Sequence, residues 1–223
     1  LARRANGELW VTWSGGRDAH VCPLGQVKAM TSKDDGATWT YPRVLFDGPI
    51  DDRDSGVMET AKGTLLVTTF TSLAYEERGL VAKQTPERQA RWKAAQERLT
   101  AEERKAQLGE WVLRSMDGGK TWSNADPIAP FGVWPDSVLL KNGIISVTYG
   151  RPGNWIMFST DQGKTWVPVL QFFNDLYPPD CGNYFTSVEV APNVLLVAYA
   201  RTDPNDRWKS DIVGTYFQVK RMK

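Results

Sequence analysis

Cysteine and histidine are scarce in this sequence. Only two cysteines, Cys22 and Cys181, and one histidine, His20, occur among 223 residues. Two cysteines exclude a scaffold dense in disulfides and a cysteine-rich zinc site. No second histidine is present to complete a metal site around His20. We therefore expect no metal and no other cofactor.

Excess charge of one sign and long apolar runs are also missing. Lys and Arg total 27 against 26 for Asp and Glu, a formal net charge of +1. This balance gives no global attraction to nucleic acid or to an anionic membrane. No apolar run approaches the ~20 residues that span a bilayer, and no signal-peptide pattern is present. The chain begins with Leu1 rather than Met, close to a predicted strand, which indicates a processed or trimmed N-terminus.

The sequence does contain an eight-residue pattern, S-x-D-x-G-x-T-W, in three copies at 32–39, 115–122 and 159–166, called the repeated turns below. Asp can accept hydrogen bonds from the amides of its own turn, and Gly can adopt the positive φ that such a turn needs. Thr and Trp favour the strand that follows, and Trp has a large apolar area to bury. Each copy therefore predicts a hairpin turn that ends in a buried tryptophan: Trp39, Trp122 and Trp166.

Four strand–turn–strand units also recur, with their turns at Gly7, Gly63, Gly143 and Asn193. The second and third repeated turns begin 44 residues apart, which suits a four-stranded blade. We therefore predict an all-β fold, a β-propeller of four-stranded antiparallel blades, as a single domain over 1–223.

The first two repeated turns begin 83 residues apart, and the excess length falls at about 73–110. This segment has helical character. Thr85 stands before a proline at a first helical position. Thr100 and Glu103 form a capping-box pattern for a second short helix, which we expect to end at Gly109. The segment is predicted to be a helical insertion, either a solvated hairpin on the rim or a lid over a site.

The pattern S-x-D-x-G-x-T-W resembles the Asp-box of the sialidase (neuraminidase) superfamily, where it lies between the third and fourth strands of a propeller blade, away from the active site. The resemblance implies a six-bladed fold, so four units indicate either a smaller or open propeller or missing repeats. We expect missing repeats, because a blade without neighbours exposes edge strands and a buried face. It favours a secreted or periplasmic protein. It implies little about chemistry, because function depends on the site that a fold displays, and other Asp-box proteins hydrolyse nothing.

Strand direction places the polar candidates on one face. Successive strands of a blade are antiparallel, so the segments before first strands and the loops between second and third strands share the face opposite the repeated turns. Arginines bind a carboxylate bidentately, and a carboxylic acid can protonate a leaving oxygen. We assign substrate binding to Arg53, Arg151, Arg17, His20 and Arg201, and catalysis to Tyr184, Asp54 and Asp18.

The resemblance implies particular roles. Sialidases use a tyrosine nucleophile that precedes a strand near the C-terminus, as Tyr184 does. Arg151 matches the family's third arginine, and Arg53 has the first arginine's spacing to a hairpin glycine, without the Ile-Pro that follows it there. Asp18 matches the catalytic acid by position, and Asp54 is the alternative. The family's second arginine and its tyrosine-activating Glu have no identified counterpart.

Three functions remain open at this point. The first is a sialidase-like glycoside hydrolase that removes a terminal acidic sugar, sialic acid or a relative, from glycans. The second is a non-catalytic Asp-box propeller that binds glycan or protein. The third is a propeller lyase or hydrolase that acts on uronic acids, with His20 or Asp54 as the reacting group. Loop arginines such as Arg17 and Arg201 are also common as solvated or ion-paired residues. We expect a glycan partner, no nucleic acid and no membrane span.

Overall fold

The computed structural model describes residues 1–77, 79–173, 184–203 and 206–221. Within these residues four antiparallel sheets follow one another along the chain, and in each sheet the strands pair in chain order. Three sheets have four strands and the last has three. The predicted all-β fold of blade-like sheets is confirmed. Cys181 and the rest of 174–183, which precede Tyr184, lie outside the described residues.

The sheets are numbered 1 to 4 in chain order. Sheet 1 consists of β1 (Ala2–Arg3), β2 (Leu9–Gly15), β3 (Gln26–Ser32) and β4 (Arg43–Phe46). Sheet 2 consists of β5 (Asp51–Glu59), β6 (Leu65–Ser72), β7 (Gly109–Ser115) and β8 (Asp126–Ala129). Sheet 3 consists of β9 (Val133–Leu139), β10 (Ile145–Gly150), β11 (Asn154–Ser159) and β12 (Val169–Phe173). Sheet 4 consists of β13 (Phe185–Ala191), β14 (Val194–Asp203) and β15 (Asp206–Gln218).

The core lies between successive sheets, because side chains alternate between the two faces of each strand. Sheets 1 and 2 enclose a buried cluster of Trp10, Val27, Ala29, Val57, Leu65, Val67 and Leu113. Sheets 2 and 3 enclose Met58, Leu66, Val112 and Ile145. Sheets 3 and 4 enclose Leu140, Ile144, Ile156, Phe185, Leu195, Val197, Tyr199 and Val219. The first strands β5, β9 and β13 contact one another in series.

The repeated turns connect the third and fourth strands of sheets 1, 2 and 3. In the second turn Asp117 accepts hydrogen bonds from the backbone N–H of Thr121 at 2.9 Å and from its hydroxyl at 2.6 Å. The Ser115 hydroxyl accepts from the N–H of Gly119 at 2.8 Å. Asp and Ser make the same bonds in the other two copies. The aspartate therefore holds its own turn, as the sequence predicts.

The turns of sheets 2 and 3 are also packed against the sheet before them. Trp122 meets Trp10 edge to face, with ring centroids 5.8 Å apart. Gly119 is so close to Trp10 that an added Cβ would come within 2.2 Å of the indole. Gly163 of the third turn is packed in the same way against Leu66, where a Cβ would come within 2.9 Å. Each of these turns therefore fastens its sheet to the preceding one.

Trp122 and Trp166, which are also predicted to be buried, are partly buried and pack against buried clusters. Trp39 differs, and the prediction that it is buried is wrong. Its side chain is 37% exposed, although its indole N–H donates to the carbonyl of Gly36 at 3.0 Å. The reason is positional. In the described part of the chain no sheet precedes sheet 1, so the first repeated turn has no sheet to pack against.

The predicted helical insertion lies between β6 and β7. Its helices are α1 (Ala74–Glu77), α2 (Pro86–Gln96) and α3 (Ala101–Ala106), with a 3-10 turn at Val81–Lys83. Thr85 caps α2, and Thr100 forms a capping box with Glu103. The predicted end of the second helix at Gly109 is wrong, because the backbone there already pairs with Thr71 as the start of β7. Among the described residues, no helix is long and apolar enough to cross a bilayer.

The insertion packs on the loop between β2 and β3. Trp92 of α2 is fully buried and meets Tyr75 of α1 edge to face, with ring centroids 6.3 Å apart. Both belong to an apolar cluster with Val21, the free thiol Cys22 and Leu73. This second core holds the insertion and the loop as one unit.

Two strand boundaries differ from the sequence analysis. The segment Asp51–Asp54 does not precede β5 but opens it, with Asp51 already paired to Ser72. Arg201 does not begin a loop but lies inside β14, opposite Asp211. In both places the backbone hydrogen bonds between strands continue beyond the apolar residues. The sequence pattern does not reveal this, because it marks only the apolar part of each strand.

Trp122→Ala is expected to lower the free energy of unfolding by about 2–4 kcal/mol, because it removes a large ring from the contact with sheet 1. Trp39→Ala is expected to cost about 1 kcal/mol or less, because that ring has no such contact. Urea unfolding followed by circular dichroism measures both. Equal losses would contradict the fastening role of the preceding sheet.

Candidate functional site

A cavity of about 540 Å³ opens at the ends of the strands opposite the repeated turns. The ends of β6 and β10 and the starts of β5, β7 and β9 surround it. Five of the eight sequence candidates line it: His20, Arg53, Asp54, Arg151 and Tyr184. The structure therefore brings together residues from all four successive sheets or the loops beside them.

Arg53 and Asp54 reach the cavity because β5 is irregular where they stand. The pairing of β5 with β6 shifts register between Arg53 and Gly56. Asp54 has a positive φ of 29°, and its N–H donates to the Ser14 hydroxyl at 2.6 Å. Such irregularities turn side chains away from the regular alternation of a strand. Two adjacent residues can therefore both line the cavity.

Arg53 is the deepest cation of the site, with only 8% of the residue exposed. Its guanidinium lies over the Phe70 ring, 5.5 Å from the centroid, and its Nη2 is 3.4 Å from Nε2 of His20. Burial lowers the pKa of Arg53, and the carboxylates of Asp51 and Asp54 oppose that shift. The guanidinium is held in a place where an additional anion would stabilise its charge.

Arg151 and Tyr184 meet on the other side of the cavity. Arg151 follows β10 with a positive φ of 58°, and its N–H donates to the carbonyl of Gly153 at 3.1 Å. Its guanidinium carbon lies 5.6 Å from the centre of the Tyr184 ring. Tyr184 directly precedes β13 and is 55% exposed. This tight turn brings an arginine of sheet 3 beside the tyrosine that leads into sheet 4.

Asp18 is not among the described residues that line the cavity. Its carboxylate forms an ion pair with Arg91 and accepts a hydrogen bond from Nε1 of Trp92 at 3.3 Å, both on α2. The residues at the two ends of the insertion, Leu73 and Leu108, do line the cavity. The insertion therefore borders the site at its ends and holds Asp18 outside it.

Arg17 and Arg201 also lie away from the described cavity lining. Arg17 forms an ion pair with the fully buried Asp51, whose other oxygen accepts from the N–H of Cys22 at 3.2 Å. Burial raises the pKa of Asp51 to about 6, and Arg17 opposes the shift. Arg201 pairs with Asp211 across β14 and β15 at 3.5 Å. In this structure both arginines have acidic partners of their own.

The sequence analysis did not select Glu110, although its carboxyl group lies directly behind the cavity wall. Glu110 is fully buried, and neither carboxylate oxygen has a hydrogen-bond partner among the described residues. A Cβ on the cavity-lining Gly132 would come within 2.6 Å of Oε1. Burial, aided by Asp54, raises the pKa of Glu110 well above its usual range. Glu110 stands two residues before the buried Val112, on the same face of β7. This spacing is the feature of the sequence that could have identified Glu110 as buried.

Trp134 is the second residue that the sequence analysis did not select. It is the second residue of β9, lines the cavity and is 40% exposed. Its ring contacts Tyr184 edge to face, with centroids 4.9 Å apart and an interplanar angle of 79°. In the sequence Trp134 resembles an ordinary strand residue beside Pro135, so the residue pattern gives no reason to select it as a site residue. Nowhere in the described ranges do three or more His, Cys, Asp or Glu residues form a group that could hold a metal ion.

Several solved structures resemble this chain, whereas no family model and no curated protein matches it. A variant of the NanB sialidase from Streptococcus pneumoniae has a TM-score of 0.60 at 10% identity, covering 96% of this chain and 50% of its own. An ulvan lyase bound to -[GlcA(1-4)Rha3S]- has a TM-score of 0.56 at 14% identity, covering 87% and 43%. A leech intramolecular trans-sialidase has a TM-score of 0.55 at 17% identity, covering 96% and 30%.

These comparisons show the fold. The sheets are arranged as in sialidase-like propellers, and the chain spans half or less of the length of each of these three proteins. The three share an arrangement of sheets with this chain but are named for different reactions. The chemistry must therefore be argued from the cavity itself.

Asp52 predicts a pH-dependent stability. It is fully buried in β5, where Oδ2 accepts from the N–H of Gly48 at 2.5 Å and Oδ1 has no partner in the described structure. Burial, aided by the carboxylates of Asp47 and Asp51, raises its pKa to about 8. In the unfolded chain this group loses its proton near pH ~4. The free energy of unfolding should therefore fall as pH rises from about 4 towards 8, by on the order of 1 kcal/mol per pH unit.

Asp52→Asn should make this fall less steep, while the buried carboxyl groups of Asp51 and Glu110 still contribute a fall of the same sign. The variant should unfold at higher urea concentration than the unmodified protein at pH 8. Urea midpoints measured from pH 5 to pH 8 test this. Asp35→Asn serves as a control, because its side chain is 76% exposed. An unchanged pH slope in Asp52→Asn would show that Asp52 is ionised in the folded protein.

Proposed function

We propose that the cavity binds the carboxylate of a terminal acidic sugar and that the protein removes this sugar from a glycan, as a glycoside hydrolase of the sialidase type. The observation that supports this most is that Arg53, Arg151, Asp54 and Tyr184 line one cavity. Guanidinium groups bind carboxylates in a bidentate, planar geometry. The same cavity then supplies an acid and a phenol oxygen for the reaction.

The electrostatics of the two arginines favour an anionic ligand. The Nε atoms of Arg53 and Arg151 are buried and have no hydrogen-bond partner within the described residues. A buried guanidinium costs free energy unless an opposite charge and hydrogen bonds offset its loss of water. Asp54 is the carboxylate that shares the cavity with these two cations. Asp54 carries a proton when it acts as the acid, so a substrate carboxylate would be the anion that faces the two arginines.

The reaction can be written with the residues of this cavity. Asp54 gives its proton to the leaving oxygen as the glycosidic bond breaks. The phenol oxygen of Tyr184 bonds to the anomeric carbon and releases its proton. A phenol suits this position, because a carboxylate would be repelled by the carboxylate of the substrate. Water then adds to the anomeric carbon as the bond to the Tyr184 oxygen breaks, and the proton of the water goes to that oxygen. Tyr184 released its own proton to solvent, and Asp54 takes up a proton from solvent to complete the cycle.

The structural comparisons support this proposal by analogy. A sialidase and a trans-sialidase are among the solved structures that share the fold. The analogy is one of fold, since the identities are 10% and 17%. The residues of the cavity, rather than the analogy, carry the proposal.

The proposal predicts that the protein releases fluorophore from a 2-α-sialoside and that Tyr184→Phe lowers kcat by about a hundredfold or more. Arg53→Met and Arg151→Met should mainly raise KM, by about tenfold or more, because each removes a charged contact to the substrate carboxylate. Tyr216→Phe is the control, since that tyrosine is 67% exposed on β15. Full turnover by Tyr184→Phe would contradict the catalytic role. Binding of sialic acid without turnover would favour the non-catalytic propeller.

One observation favours a second candidate, a lyase that acts on uronic acids. Nε2 of His20 lies 3.4 Å from Nη2 of Arg53. In such a lyase an arginine neutralises the uronate carboxylate, and a neutral imidazole removes the proton at C5. The electron pair of that C–H bond forms the C4–C5 double bond as the C4–O bond breaks, and Tyr184 protonates the leaving oxygen. An ulvan lyase is among the solved structures that share the fold.

His20→Gln separates the two candidates. If the first proposal is correct, ulvan yields no unsaturated product with ultraviolet absorbance. His20→Gln then keeps kcat for the 2-α-sialoside within about threefold and changes mainly KM, because His20 lies beside Arg53 and is not a reacting group. Formation of unsaturated product from ulvan that disappears in His20→Gln would instead establish the lyase.

A further inference from the structure

Trp134 has an unusual backbone conformation at the mouth of the cavity. Its φ is 59°, in the left-handed region, which bulky residues rarely adopt. The residue before a proline is in addition biased towards extended conformations, and Pro135 follows directly. A large apolar ring is nevertheless left 40% exposed. Strain of this kind persists where the surrounding structure enforces it, and it often marks a binding site.

The neighbours of Trp134 enforce this conformation. Gly132, two residues earlier, has a φ of 136° and is so closely packed that a Cβ would come within 2.7 Å of the Tyr149 ring. On the other side Pro135 is buried. Tyr184 contacts the Trp134 ring edge to face. Such a contact occupies at most one face of the indole, so the other face is left at the cavity mouth.

We propose that Trp134 forms a second subsite, in which the indole stacks on a neutral pyranose ring linked to the acidic sugar. This rests on the proposed function, because it places the acidic sugar at Arg53 and the next ring of the glycan at Trp134. The C–H groups on one face of a pyranose are an apolar surface that suits the electron-rich face of an indole. No charge is needed for this contact, which is why a neutral sugar fits it.

The depth of the cavity sets the order of the two rings. Arg53 is 8% exposed, whereas Trp134 is 40% exposed. A sugar whose carboxylate reaches Arg53 therefore lies deeper than a ring that stacks on Trp134. In a glycan whose terminal sugar is acidic, the ring at the mouth is the one released as the leaving group. Trp134 thus determines which leaving sugars bind well, whereas the arginines select the acidic sugar.

Steady-state kinetics with two substrates test the subsite. Methyl α-sialoside contains only the acidic sugar ring. In 3′-sialyllactose the acidic sugar is linked to two further sugar rings. Because Trp134 also contacts Tyr184, the two substrates are compared with each other. Trp134→Ala should raise KM for sialyllactose about tenfold more than KM for the methyl sialoside, and it should change kcat for both substrates by about the same factor. Trp134→Phe should retain part of the preference, because it keeps an aromatic face. Trp39→Ala removes a ring of similar exposure from the opposite ends of the strands, and it should change KM and kcat for neither substrate.

Saturation-transfer NMR with lactose as the probe tests the same contact without turnover. The unmodified protein and Trp39→Ala should transfer saturation to lactose, and Trp134→Ala should not. If this pattern appears while no sialoside is cleaved, the subsite stands and the proposed hydrolase fails. If sialosides are cleaved but Trp134→Ala changes neither KM nor the lactose signal, the subsite is overturned and the hydrolase stands. Absence of any lactose signal from the unmodified protein also overturns the subsite.

Discussion

The close approach of the second and third repeated turns to the preceding sheet is the contact on which the arrangement depends. Gly119 lies against Trp10 at a distance that leaves no room for a side chain, and its carbonyl accepts a hydrogen bond from Arg43 of sheet 1. Gly163 repeats this against sheet 2, where its carbonyl accepts from Arg114 at 2.9 Å. Glycine thus has a steric role in these turns besides its conformational one. The contacts stack the sheets in series.

Because the sheets are stacked in series, their first strands lie side by side. The cavity forms where the starts of these strands meet. Arg53 and Tyr184 are far apart in the chain, yet both stand near the beginning of a first strand, and Arg151 directly follows a second strand nearby. Sheet 2 also contains two buried carboxyl groups, Asp52 and Glu110, whose burial raises their pKa values. Burying them costs free energy of folding. Well-packed apolar residues at these two positions would stabilise the fold better.

Local patterns predicted much of this fold, and contacts between distant residues account for what they missed. The turns, the capped helices and the common face of Arg53, Arg151 and Tyr184 follow from short-range chemistry and strand direction. The exposure of Trp39 depends on a neighbouring sheet, and the position of Asp18 depends on an ion pair with Arg91, 73 residues away. No local pattern carries that information, because propensity and periodicity describe a segment alone.

The two ends of the strands therefore carry different information. The end with the repeated turns holds the sheets together, so its residues are constrained by packing and would be needed for any activity. The opposite end is bounded by loops and by the helical insertion, and there the chemistry can change without moving a sheet. That division explains how a sialidase and an ulvan lyase can share the arrangement of this chain. In this chain both His20 and Tyr184 lie beside an arginine of the cavity. Both proposed reactions use the arginines to bind an acidic sugar, and they differ in whether Tyr184 or His20 reacts.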